Sequence, residues 1–284
     1  MESSILLGIT NIAKYRNLAI KSTKQKYKIS INTVGQPLED FVSDAIAGAL
    51  GVGEEERTNL HGKTFSYLGN QNNPPDAIIK NGDAFEIKKI ESLRSGLALN
   101  SSPPKNILHS SDPRLTDACR KCENGWKEKD LFYVVGSVQK STIKYLFFVH
   151  GLCYAADKEV YEKIHSTVKS DIKAALQKRG IEMGETVELG KVKKVDPLGI
   201  TEFRMRGMWS IENPINVFSS VYQFNQDAEF SLIALMTKEK FEAFPREHSK
   251  KLMEQKDIFV KDVIIKDPNN PAKKLTAKLI TLSW

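Results

Sequence analysis

Pro74-Pro75-Asp76-Ala77-Ile78-Ile79-Lys80-Asn81-Gly82-Asp83-Ala84-Phe85-Glu86-Ile87-Lys88-Lys89 is the stretch on which the reading of this chain turns. Residues 76–80 and 84–90 are two strand-like runs, and Asn81-Gly82 lies between them. That dipeptide tolerates φ > 0 at both central positions of a two-residue hairpin turn. Side chains alternate along a strand, so Glu86 and Lys88 leave one face while Ile87 enters the core. The turn brings Asp76 near the level of Glu86 and Lys88. Two carboxylates and an ammonium group then converge beside one sheet.

That set suits phosphodiester hydrolysis. Asp76, Glu86 and a backbone carbonyl, that of Ile87, are hard oxygen donors of the kind Mg²⁺ takes, with Mn²⁺ able to substitute. Such a cation polarises a phosphate and acidifies a water. Lys88 would orient the water or stabilise transition-state charge. Glu39, on the preceding helix, is a candidate further ligand or outer acceptor. Asp83 and Lys89 have the wrong parity. The competing reading is an exposed hairpin with alternating charge, since Glu-x-Lys pairs are common in strands.

Working outward, residues 36–50 read as an amphipathic helix, with Leu38, Phe41, Val42, Ala45, Ile46 and Ala49 at three- and four-residue steps. Pro37 suits its first turn, and Gly51 and Gly53 end it. Residues 65–73 read as a strand running into a polar loop. Residues 131–138 and 145–149 read as buried strands. Residues 187–195 and 200–206 read as strands joined at Asp196-Pro197-Leu198-Gly199, and 227–236 and 257–265 as further strands. Helices are expected over 115–126, 158–178 and 238–256, and a turn over 267–272. The apolar start, residues 1–10, lacks a basic leader and cleavage site and reads as the first turns of a helix. No repeat or linker interrupts the chain. The expectation is one α/β domain, 1–284, with insertions around a central mixed sheet.

Composition is that of a soluble globular protein: 284 residues, 40% hydrophobic, 27% charged. No apolar run reaches the roughly 18 residues of a membrane span. The net charge of +7 favours a polyanionic partner. Three cysteines, at 119, 122 and 153, are too few and too odd for a disulfide framework and fit a reducing cytoplasm. Cys119 and Cys122 read as two positions on one helical face rather than a zinc site. The histidines at 61, 109, 150, 165 and 248 show no ligand spacing, and His61, near the hairpin, reads as structural.

Two further groups suit nucleic acid. Asn100, Ser101, Ser102 and Lys105 follow the second strand in a polar loop that can contact phosphates or base edges. Arg204 and Arg206 share a strand face, and arginine pairs bidentately with guanine. The plain alternatives are a solvated loop and an exposed basic strand. Trp209 reads as core.

Pro75-Asp76 followed by Glu86-Ile87-Lys88 resembles the PD-(D/E)xK nuclease motif. The wider runs Phe65-Ser66-Tyr67-Leu68-Gly69-Asn70, Asn73-Pro74-Pro75-Asp76-Ala77, Glu86-Ile87-Lys88-Lys89-Ile90-Glu91-Ser92, Ala98-Leu99-Asn100-Ser101-Ser102 and Arg204-Met205-Arg206-Gly207-Met208-Trp209 resemble NgoPII-type type II restriction endonucleases, over roughly residues 35–220. The resemblance implies a restriction-endonuclease-like mixed central sheet flanked by helices, with β-rich insertions. It implies a catalytic core over about 35–150 and recognition elements over about 95–110 and 186–220. The implied activity is cleavage of double-stranded DNA at a short, GC-rich, GGCC-like palindrome, alongside a cognate DNA methyltransferase. A palindrome has two-fold symmetry, so a homodimer is expected. The alternatives are a PD-(D/E)xK nuclease of repair, junction resolution or RNA processing, and a DNA-binding module without catalysis.

Overall fold

The computed structural model describes residues 3–19, 36–70, 73–90 and 92–284. Gln71 and Asn72 of the expected strand end, and Glu91, lie outside the described residues. In chain order the elements are α1 (Ile5–Tyr15), α2 (Gln36–Ala47), α3 (Glu54–Thr64), β1 (Phe65–Asn70), β2 (Asn73–Ile79), β3 (Ala84–Ile90), β4 (Leu97–Asn100) and β5 (Ile107–His109). Next come α4 (Asp117–Arg120), β6 (Glu128–Gln139), β7 (Thr142–His150), α5 (Gly151–Tyr154), α6 (Lys158–Gln177), β8 (Gly190–Lys193), β9 (Glu202–Met205) and β10 (Trp209–Ile211). The chain ends with α7 (Pro214–Val217), β11 (Ser231–Thr237), α8 (Lys238–Ala243), α9 (Arg246–Met253), β12 (Phe259–Asp267) and β13 (Asn270–Ser283).

The chain divides into two compact units, one of residues 1–95, 106–155 and 212–284, the other of 96–105 and 156–211. The first holds a nine-stranded mixed sheet in the order β1-β2-β3-β6-β7-β11-β13-β12, with β5 added against β6. β3 runs parallel to β6 and β7 to β11, and the other pairs are antiparallel. The central strands β6, β7 and β11 are continuous apolar runs because both their faces are covered. On one face Phe85, Ile87, Phe132, Val134 and Phe148 share a core with Ile5 and Ile9 of α1 and Leu38 and Val42 of α2. Gly136 of β6 makes room for α2: a Cβ there would stand 2.7 and 2.9 Å from the two Leu38 methyl carbons. On the other face the rings of Tyr133 and Phe147 meet Tyr154 of α5 and Phe218 after α7. This is the expected α/β arrangement of a mixed central sheet flanked by helices. Among the described residues no helix is long and apolar enough to cross a membrane.

The second unit contains α6 and two two-stranded sheets, β4–β10 and β8–β9. Trp209, expected in the core, is half-buried and packs edge-on against Tyr161, ring centroids 5.6 Å apart.

Several expected elements differ. The helix expected over 115–126 shrinks to α4, capped by the Thr116 hydroxyl, and the chain turns away at Gly125, φ +68°. Cys119 is buried in α4, where burial pushes its thiol up to about 12, and Cys122 follows in a turn. The helix expected over 238–256 breaks into α8 and α9 at Pro245, which cannot donate a helical N–H. The strand expected from 227 begins at Ser231, and β13 continues straight from the turn expected over 267–272. α3 has no apolar stripe and was not expected from periodicity.

Candidate active site

β2 and β3 pair antiparallel with Ala77 opposite Phe85 and Ile78 opposite Ala84. Their connection is a three-residue turn, closed by the Ile79 N–H on the Asp83 carbonyl at 2.9 Å, with Gly82 N–H on the Ile79 carbonyl at 2.9 Å. Only Asn81 has positive φ, +54°. The expected two-residue turn with φ > 0 at both positions is therefore corrected. Its reason is tertiary: the Asn81 N–H donates to the Glu123 carboxylate (2.9 Å), and Lys129 donates to the Gly82 carbonyl (3.1 Å) and to Glu123 (2.7 Å). The extra residue changes the chemistry. A two-residue turn would have set Asp76 across from Ile87, whereas the observed register, continued one step, sets it across from Glu86.

The ladder opens at that step. The Ile87 N–H donates to Asp76 Oδ2 at 2.6 Å in place of a strand carbonyl. Lys88 Nζ donates to Glu86 Oε1 at 2.6 Å. Between these two, the Ile87 side chain is buried in the core. A bulge in β1 brings Gly69 against Pro75, so closely that a Cβ on Gly69 would overlap the Pro75 carbonyl oxygen. Glu86 and Lys88 share one sheet face, as strand parity predicts, and the three-residue turn sets Asp76 on that face with them.

Burial, and then the Glu86 charge, push the Asp76 carboxyl up to about 8, although Lys88 and the Ile87 N–H act the other way. Burial also raises Glu39, with Asp40 and Glu86 adding to it and Lys88 opposing. Burial pulls Lys88 down, but Glu86, Asp76 and Glu39 outweigh it and hold the ammonium above its ordinary pKa. The cluster carries more negative charge than its setting can hold with Lys88 alone, and it offers hard oxygens only. This donor set fits a divalent cation. Among the described residues no three His, Cys, Asp or Glu side chains are grouped for metal binding, so Glu39 does not complete a triad with Asp76 and Glu86.

Asp83 turns away, as parity predicts, into a network that sequence reasoning missed. Lys240 of α8 bonds both Asp83 and Asp130, the latter at 2.7 Å, and His150 Nε2 lies 3.1 Å from Asp130. These partners lie 110 to 157 residues from Lys240 in the chain, beyond any local signal. His61 is structural: its Nε2 lies 2.6 Å from Asp44 of α2, and its ring meets Phe65.

The six candidate DNA contacts, Asn100, Ser101, Ser102, Lys105, Arg204 and Arg206, all belong to the second unit, and the catalytic trio belongs to the first. Asn100 adopts φ +52°, Ser101 is exposed, and Lys105 donates to the Ser102 hydroxyl. Arg204 makes two hydrogen bonds to Glu188, at 2.9 and 2.6 Å, and Arg206 one at 2.6 Å. Glu188 was not singled out in the sequence; the hydrogen bonds from Arg204, then Arg206, hold its carboxyl below the usual range.

The sequence profile of the NgoPII restriction endonuclease family matches residues 3–266. The chain belongs to that family. The match extends the expected span of 35–220 to include α1, which packs in the core, and β11 and β12 of the sheet. The type II restriction enzyme NgoPII of Neisseria gonorrhoeae is 43% identical over 279 residues, covering 98% of this chain and 99% of that protein. No solved structure matches. As a type II restriction endonuclease the family member cleaves DNA site-specifically, which sets aside the repair and non-catalytic readings.

Proposed function

We infer that this restriction endonuclease hydrolyses phosphodiester bonds within a short, GC-rich, GGCC-like palindrome of double-stranded DNA, using Asp76, Glu86 and Lys88 with Mg²⁺, which Mn²⁺ can replace. The observation that carries the reading is the convergence of Asp76, Glu86 and Lys88 on one face of the β2–β3 hairpin, with the Asp76 carboxyl pushed up to about 8. Asp76, Glu86 and the Ile87 carbonyl would hold the ion, which when bound polarises the scissile phosphate and acidifies a water. The Ile87 N–H holds one oxygen of the Asp76 carboxylate. Lys88 stays an ammonium and is aimed by Glu86. Its role is to orient the attacking water or to neutralise a phosphoryl oxygen. Glu39 is an outer acceptor for that ammonium or for a water.

Asn100, Ser101, Ser102 and Lys105 contact backbone and base edges, and Arg204 and Arg206 exchange Glu188 for guanine. A homodimer sets one hairpin on each strand of the palindrome. A cognate methyltransferase protects the host's own sites. Plasmid digestion tests the activity: Mg²⁺ should give discrete bands, EDTA should abolish them, and Ca²⁺ should support binding without turnover. A smear, or cleavage undiminished in EDTA, would overturn the reading.

A further inference from the structure

The β8–β9 ribbon combines two features that a solvated hairpin does not need. Its tip exposes large apolar side chains, Leu198 81% and Ile200 80%, and Phe203 on β9 is 56% exposed. The same ribbon is basic. Residues 190–206 contain five basic side chains and two acidic ones, a net +3. The tip is also ordered by its own backbone. The Asp196 carboxylate accepts the amides of Leu198 (2.9 Å) and Thr201 (2.6 Å), and the Val195 N–H meets the Thr201 carbonyl at 3.0 Å. Lys194 and Gly199, both at positive φ, complete the turn. Apolar side chains held outward on a preformed turn mark a contact surface.

Charge selects the occupant. Two copies of this ribbon would face each other with +3 against +3, whereas duplex DNA is a polyanion, and a two-stranded ribbon is narrow enough to enter a groove. Proteins that deform DNA insert apolar side chains between base steps. On the reading of the chain as a DNA endonuclease, we propose that Leu198, with Ile200 beside it, is an apolar wedge that enters a groove of the bound duplex and unstacks a base step at the recognition site, while Lys193 and Lys194 hold the flanking phosphates.

The test uses full-length enzyme and duplexes that carry the sequence mapped from its plasmid digest, each with 2-aminopurine at a different position. Ca²⁺ replaces Mg²⁺ to suppress cleavage. The unaltered enzyme should raise fluorescence at one step. Leu198→Ser/Ile200→Ser removes only exposed side chains and should fold normally. It should lose that rise, and its preference for the mapped site over random duplex should fall about ten- to a hundredfold, the span that burial of an apolar side chain corresponds to. Lys193→Gln/Lys194→Gln should keep the rise at saturation, bind all duplexes more weakly and reduce the salt slope by about two units. An equal rise in the serine variant overturns the wedge. So does a shift of the DNA-free serine variant toward smaller species in sedimentation with its fluorescence rise intact, which assigns the tip to a second copy. Discrete bands without any fluorescence rise remove the wedge alone. No discrete bands from the unaltered enzyme remove the nuclease reading and the wedge with it.

Discussion

The β2–β3 hairpin and the β8–β9 ribbon are both antiparallel pairs bearing charged side chains, but they are held in opposite ways. On the hairpin each polar group takes a partner that fixes it: Asp76 the Ile87 amide, Lys88 the Glu86 carboxylate, Asn81 the distant Glu123, Asp83 the distant Lys240. On the ribbon at least one member of each ion pair is open to water: half-exposed Arg204 and Arg206 with the part-buried Glu188, Lys191 with the more exposed Glu202, and Asp196 with its own turn. Exposed ion pairs contribute little because water screens them, so they can be traded for a ligand at small cost. Buried pairs cannot, because losing one partner strands a charge. Groups that must hold a geometry sit where exchange is expensive; groups that must meet a changing partner sit where it is cheap.

The largest expected effect lies on the hairpin. Asp76→Ala, Glu86→Ala and Lys88→Ala should each lower cleavage by on the order of 10³-fold or more. Binding to duplex should change far less, since the candidate contacts lie in the other unit. Single-turnover cleavage and filter binding measure the two separately. Cleavage within about tenfold of the unaltered enzyme would reduce the hairpin to an ordinary charged turn.

Next comes the buried anchor. Lys240→Met leaves Asp83 buried without its cation, and breaking such a pair costs about 3–5 kcal/mol. At about 2–3 °C per kcal/mol, the melting temperature should fall by roughly 6–15 °C. The pH dependence has a definite sign. Burial would raise Asp130, but the His150 hydrogen bond and Lys240 outweigh it and hold the carboxyl well below the usual range. A folded pKa below the unfolded one gives stability that is present above about pH 4 and lost as pH falls below it. Lys240→Met should make that acid limb shallower. Denaturation between pH 2 and 5 reads it out, and an unchanged limb would show that Lys240 does not set Asp130.

A smaller effect is expected at Gly69. Gly69→Ala would overlap the Pro75 carbonyl and displace the residue that follows it, Asp76. Small misplacements of a reacting group cost up to about 10²-fold in rate, so a fall of roughly ten- to a hundredfold is expected, with the melting temperature lowered as well because the overlap is with backbone. A loss of stability without a loss of rate would mean that β1 does not set Asp76.

What could be read in advance follows from how far each signal reaches. The α2 stripe and the Glu86/Ile87/Lys88 parity are properties of a few consecutive residues, and both are found as expected. The hairpin turn is not local: Glu123 and Lys129 grip it from more than 40 residues away and add the residue that aligns Asp76 with Glu86. Lys240 lies further still, 157 residues from Asp83 in the chain, so no local pattern could pair the two. α3 was illegible because Glu54-Glu55-Glu56-Arg57 and Gly62 carry no apolar period. The Arg204/Arg206 pair was legible as a shared face, but the carboxylate that occupies both arginines was not, since Glu188 lies 16 and 18 residues before them.

That carboxylate gives the finest test of the comparison. If the ribbon's ion pairs are exchangeable, Glu188 competes with DNA for Arg204 and Arg206. Glu188→Gln then releases both guanidinium groups and removes a negative charge. Affinity for random duplex should rise by about tenfold, and the salt slope should steepen by one to two units as more phosphates are met. Arg204→Ala and Arg206→Ala should act in reverse and unequally between sequences. If they read guanine, the mapped site should lose roughly ten- to a hundredfold while random duplex loses little. If they meet only phosphates, both should weaken alike and the slope should drop by about one unit. Melting should change little in any of the three, because both guanidinium groups are half-exposed and water screens the pairs they make. A Glu188→Gln variant that melts several degrees lower yet binds DNA as before would mean that these pairs brace the ribbon as buried pairs brace the hairpin. The division between a fixed site and an exchangeable one would then fail, and base reading would move to Asn100, Ser101, Ser102 and Lys105.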